Sequence, residues 1–146
     1  MVKRNYLLLF VTITLATIII DQILKYLIVT FQPKLNLSIL SITFTKNTGA
    51  GFGILQNQTL ALTLISFAVA CLLIYFYNDL PKEKLPQILF ALFLGGTMGN
   101  LLDRIFRQYV IDFISFTFWP AFNIADASIS IAAVGLAIYY LKNKDS

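Results

Sequence analysis

The sequence predicts a mainly α membrane protein: a bundle of four transmembrane helices with a small β element outside the bilayer. Three observations predict it. Hydrophobic residues make up 58% of the 146-residue chain, charged residues only 12%, and the mean hydropathy is +0.79, whereas a soluble domain is about a quarter charged. Four apolar segments approach the roughly 20 residues that cross a bilayer. Two connectors alternate apolar and polar residues, the period of half-buried strands. The length fits one integral membrane domain, residues 1–146.

The first span is expected over residues 6–28, interrupted by Asp21 and Lys25. Its long apolar core, embedded charges and lack of a small-residue cleavage site distinguish it from a cleavable signal peptide. The connector that follows, Leu35 to Thr45, places Leu35, Leu37, Ile39, Ile42 and Phe44 in near alternation and reads as a strand. The other spans are expected over residues 59–77, 86–102 and 124–141. Between the last two, Val110 to Trp119 sets Ile114, Phe116 and Phe118 against Ser115 and Thr117, a second strand. Trp119 and the tyrosines suit the membrane surface.

Basic residues orient the bundle. Lys3, Arg4, Lys82, Lys84, Lys142 and Lys144 fall on one side of a four-span arrangement, and Lys34, Lys46, Arg104 and Arg107 on the other. The positive-inside rule then puts both termini in the cytoplasm. It also gathers nearly every unusual polar residue at the outer face. The basic residues are too scattered to track a phosphate backbone, so lipid headgroups rather than nucleic acid are the expected partners of the net charge of +4.

The composition excludes much chemistry. Histidine is absent, which removes Ser-His-Asp and Cys-His catalysis and most zinc sites. The single cysteine, Cys71, lies in an apolar run and has no partner for an internal disulfide. No serine stands near Lys25 to make a Ser/Lys protease.

Carboxylates remain. Asp112, in Val110-Ile111-Asp112-Phe113, and Asp126, in Phe122-Asn123-Ile124-Ala125-Asp126, each lie where external chain meets membrane, with large apolar neighbours and no adjacent base. Ionisable groups there are costly and are functional candidates by default. Two such carboxyls brought together would titrate as a pair and could share one proton, the chemistry of aspartic proteases. The other reading is two exposed turn aspartates, with Asp126 at a helix start interacting with its dipole. Asp21 and Lys25, at i and i+4, suit a neutralising pair. Asp103 can neutralise Arg104 or a neighbour, Lys25 among them, and shares a helical face with Asn100. Gly95, Gly96 and Gly99 suit close helix packing. The run Lys46 to Gly53 reads as a glycine-rich turn after a strand, either a flexible loop or a site where Asn47 offers its amide to an extended peptide.

Five stretches in order carry a family resemblance: Asp21-Gln22-Ile23-Leu24-Lys25, Asn47 to Gly53, Gly95 to Arg104, Val110 to Phe113, and Phe122 to Asp126. Over essentially the whole chain they resemble the lipoprotein signal peptidases of bacteria, the signal peptidase II family. The resemblance implies four transmembrane helices with an external β-cradle at the membrane surface, and an aspartic endopeptidase that removes the signal peptide of prolipoproteins just before the diacylglyceryl-modified cysteine. It puts the catalytic dyad at Asp112 and Asp126. Asn47, Asn100, Arg104 and Asn123 would bind or support substrate and dyad, and Asp21, Lys25 and Asp103 would be structural polar residues. It also implies no metal or cofactor, a monomer in the bacterial inner membrane with its active site at the outer face, lipidated prolipoprotein substrates, and inhibition by globomycin-type peptides. Gly51 stands where the family more often has alanine, and Gln108 where it often has glycine; the connector from Asp112 to Asp126 is short for the family. A small proton- or cation-coupled four-helix transporter is the competing reading, since intramembrane carboxylates serve such carriers too. It expects acids near mid-span and a repeated half.

Overall fold

The computed structural model describes residues 6–50 and 54–143. Lys3, Arg4, Lys144 and the Gly51 to Gly53 part of the glycine-rich run lie outside the described residues. Four helices are long and apolar enough to cross a membrane: α1 (Leu7–Phe31), α2 (Thr59–Tyr75, continued by a 3₁₀ turn, Phe76–Asp79), α3 (Lys84–Arg107) and α4 (Ile124–Lys142). Each begins and ends within a few residues of the hydropathy-based expectation, except the end of α3.

That helix runs five residues beyond its expected end at Leu102 and carries Asp103, Arg104 and Arg107 as helical residues. Hydropathy alone ends the span at Leu102, where these charges begin. They remain helical because each has a partner inside the protein. α3 is the most buried of the four spans and packs against α1, α2 and α4. Small residues make the approach possible: a Cβ at Gly95 would lie 2.7 Å from Cβ of Thr17, and one at Gly99 would lie 2.7 Å from Oδ2 of Asp21. One at Gly96 would collide with the Ala125 carbonyl oxygen. The glycines therefore set α3 against α1 and α4, as membrane helix packing requires. α3 ends on Gln108 at φ 65°, a left-handed conformation that costs a non-glycine residue about 1–2 kcal/mol.

Each connector read as a single strand is a hairpin. Leu35–Leu37 (β1) and Leu40–Asn47 (β2) pair across Ser38-Ile39, and Val110–Phe116 (β3) and Trp119–Phe122 (β4) pair across Thr117-Phe118. Ser38 takes the positive φ that the first turn needs, 56°. Together the strands form one antiparallel sheet in the order β1-β2-β3-β4. Central pairs include Thr45 with Asp112 and Asn47 with Val110. Ile28 of α1 packs beneath the sheet with Ile111 and Phe113 of β3. This seals sheet to bundle at the end where α1 and α3 finish and α4 begins. Leu37, Ile39 and Phe118 at the hairpin ends are exposed, as are Ile20, Leu60, Phe106 and the thiol-bearing Cys71 on the helices. Such a surface suits lipid rather than water.

Candidate active site

Asp112 sits in the centre of β3, 1% exposed. Asp126 is the third residue of α4, where it completes a capping box: Oδ1 of Asn123 accepts from the Asp126 N–H at 2.9 Å, and Asp126 Oδ2 accepts from the Asn123 N–H at 3.2 Å. Such caps satisfy the free N–H groups of a helix start. Asp126 is thus the acidic helix-start residue that one reading anticipated, but it is half-buried rather than exposed.

One residue joins the two acids. The Asn123 side-chain N–H₂ donates to Asp112 Oδ1 at 2.7 Å, while the rest of Asn123 caps against Asp126. Asn47, at the end of β2, donates to Asp112 Oδ2 at 2.8 Å. Asn100 donates to Asp126 Oδ1 at 2.7 Å. Every oxygen of both carboxylates therefore accepts a hydrogen bond. Burial, and after it the neighbouring Asp126 charge, push the Asp112 carboxyl up to about 7, against the donors Asn47 and Asn123 and the Lys25 charge.

Arg104 is buried and donates to the Gly49 carbonyl at 3.2 Å, tying α3 to the turn after β2. Its charge acts on Asp126, Asp112 and Asp103. Asp103 does not pair with Arg104. It forms ion pairs with Lys25, 2.9 Å, and with Arg107, and accepts from the Ile111 N–H at 3.0 Å, which anchors the start of β3. Lys25 also pairs with Asp21 at 2.8 Å, both side chains fully buried. Asp21 in turn accepts from the Ala125 N–H at 3.0 Å at the start of α4.

All nine polar residues singled out in the sequence therefore meet at one end of the bundle. Two participants were missed. Gln22 donates to Asp21, Asp103 and the Gly99 carbonyl, and accepts from Arg107 at 3.0 Å. The signal for Gln22 was a polar residue inside an apolar span. For Arg107 it was the i, i+4 spacing from Asp103.

Two openings reach the acids. A cleft of about 410 Å³ is lined by Asn47, Asn100, Arg104, Phe122, Asp126 and Ile131. A recess of about 250 Å³ beside the sheet is lined by Thr45, Lys46, Asn47, Gln56, Asp112 and Pro120. Asn47, Pro120 and Ala121 border both. An extended chain crossing this border would pass from an apolar slot on the bundle side to a polar one on the sheet side. The arrangement offers two hydrogen-bonded carboxylates linked through one asparagine, a setting in which one can hold a proton while the other stays ionised.

A family model described as signal peptidase (SPase) II matches residues 13–142. The chain is 37% identical over 131 residues to a protein of Moorella thermoacetica named lipoprotein signal peptidase, covering 86% of this chain and 87% of that one. It is 40% identical over 134 residues to one of the same name from Teredinibacter turnerae, covering 83% and 80%. A solved structure described as a bacterial membrane enzyme superposes with a TM-score of 0.92 at 30% identity, over 99% of this chain and 94% of the other. A second so described gives 0.86 at 30% identity, over 97% and 98%.

Proposed function

The chain belongs to the signal peptidase II family of bacterial membrane peptidases, and from that premise we propose that it removes the signal peptide of prolipoproteins just before the diacylglyceryl-modified cysteine, using Asp112 and Asp126 as an aspartic dyad. The observation that carries the dyad is the Asn123 bridge, which ties the side chain of one acid to the helix cap of the other.

Asp112, sealed in the centre of β3 at 1% exposure and facing the Asp126 charge, is assigned the proton at the start of the cycle, and Asp126 the role of base. Asp126 takes a proton from a water molecule as the water oxygen bonds to the scissile carbonyl carbon. Asp112 gives its proton to the carbonyl oxygen, leaving a neutral gem-diol. Asp126 then passes its proton to the amide nitrogen, the carbon–nitrogen bond breaks, and Asp112 recovers a proton from a diol hydroxyl. Both carboxyls return to their starting states. General acid–base assistance of this kind contributes about 10²–10⁴-fold, and alignment of substrate against the donors adds more.

Membership of the family favours a site at the outer membrane face with both termini in the cytoplasm. Substrate would slide from lipid into the 410 Å³ cleft, its apolar signal segment beside α4 and its mature portion toward the polar recess. Globomycin-type peptides would occupy the same cleft, and a monomer contains every residue invoked. The transporter reading finds no support: the acids gather at one end of the bundle, and the relatives are named as peptidases.

Incubation of the purified protein with a lipidated prolipoprotein tests this. A product whose new N-terminus is the lipidated cysteine, and whose formation globomycin blocks, is the expected result. An intact precursor under conditions where the protein is folded would count against it.

A further inference from the structure

Lys25 lies on α1 at the centre of a closed polar layer under the dyad. Its ammonium has three N–H bonds and no acceptor, and it has three partners: Asp21 Oδ2 at 2.8 Å, Asp103 Oδ2 at 2.9 Å and Asn100 Oδ1 at 3.1 Å. Charge neutrality needs only one of the carboxylates. The third contact goes to the carboxamide that holds Asp126.

That contact is directional. A carboxamide can turn about its last torsion and exchange oxygen for nitrogen, and its neighbours decide which way it faces. Asn100 Oδ1 receives from Lys25 and, at 3.1 Å, from Asn123. The amide nitrogen is therefore left to donate to Asp126 Oδ1. Asn123 is set in the same way: its nitrogen faces Asn100 Oδ1 and Asp112 Oδ1, so its oxygen is left for the Asp126 N–H. Lys25 can only donate. Without it, Asn100 could turn its oxygen toward Asp126, which would favour the protonated form of the acid that must act as base.

We propose that Lys25 is a positioning residue for hydrolysis: by locking the Asn100 carboxamide it presents donors to Asp126 and, through Asn123, to Asp112, beyond its part in balancing buried charge. The inference rests on the dyad reading above.

The full-length protein in detergent, cleaving a lipidated prolipoprotein, provides the test. Lys25→Met alone would leave Asp21 without a cation, so the charge-balanced variant is Asp21→Asn with Lys25→Met, in which Asp103 keeps Arg107. The expected result is a kcat lower by about 10- to 100-fold, the usual consequence of losing a charge-assisted hydrogen bond, with KM little changed. Adding Asn100→Ala should then cost less turnover than Asn100→Ala costs in the parent, because the two changes act on a shared link. Wild-type kcat in the folded double variant, or losses that multiply with Asn100→Ala, overturns the proposal. If the double variant does not fold, Lys25→Arg decides. It keeps the charge but moves the donor, so reduced kcat at an unchanged melting temperature supports the role and wild-type turnover refutes it. Full activity in Asp112→Asn would instead sink the dyad reading itself, whatever the Lys25 variants do.

Discussion

Asp112 is nearly sealed off, and its environment has a measurable pH signature. Its carboxyl is pushed from the ordinary 3.8 up to about 7 by burial first and by Asp126 second. Between those two values the folded protein holds a proton that the unfolded chain has released. Linkage then makes folding stability fall as pH rises across that window. Asp112→Asn should flatten this slope in melts taken across the window. Catalysis has the matching sign. If Asp112 supplies the first proton, kcat/KM declines above about pH 7 as that proton is lost. A profile still rising well beyond that value would reverse the assignment of acid and base. The candidate acids were legible from residue types: no histidine, one cysteine, and two aspartates in apolar settings. The linkage through Asn123 and Asn100 was not legible, because Lys25 and Asn100 are 75 residues apart and spacing alone does not register one against the other.

The glycines of α3 hold the polar layer together. Gly99 lies against Asp21 Oδ2, and a methyl group there would sit 2.7 Å from it and 3.2 Å from the Ala125 Cβ. Gly99→Ala should therefore lower the melting temperature, by a stability loss of about 1–3 kcal/mol from overpacking. It should also reduce turnover, because Asp21 caps α4 through Ala125. A variant as stable and active as the parent would show that the helices can part without cost. The four spans were readable from hydropathy, since lipid tolerates little else. The hairpins were readable only as period-two stretches: neither Ser38-Ile39 nor Thr117-Phe118 carries the Asn-Gly or Asp-Gly signal of a tight turn. Hydropathy ended α3 five residues early for a related reason. Asp103 was readable on the helical face of Asn100, but the partners that keep Asp103, Arg104 and Arg107 in the helix, Lys25, the Gly49 carbonyl and Gln22, lie far off in the chain.

The whole protein is polarised. One end of the bundle carries the sheet and the buried acids, and the other carries Lys82, Lys84 and Lys142. In the orientation proposed from the positive-inside rule, with Lys3, Arg4 and Lys144 counted on the same side, that end faces the cytoplasm. A reporter active only in the cytoplasm, fused after Ser146, should therefore be active, and an export-dependent reporter fused there should be silent. The opposite pattern would turn the site inward. This polarity fits a substrate whose signal helix lies in the bilayer and whose lipidated cysteine sits at its surface. It concentrates costly groups where water and membrane meet, away from the lipid-facing flanks of α1, α2 and α4.

The most direct test is cleavage of a lipidated prolipoprotein by purified Asp112→Asn and Asp126→Asn, each checked for folding by its melting temperature. The dyad account predicts that either change alone lowers turnover by about 10²- to 10⁴-fold while the protein remains folded. Turnover within a few-fold of the parent in either folded variant would contradict it.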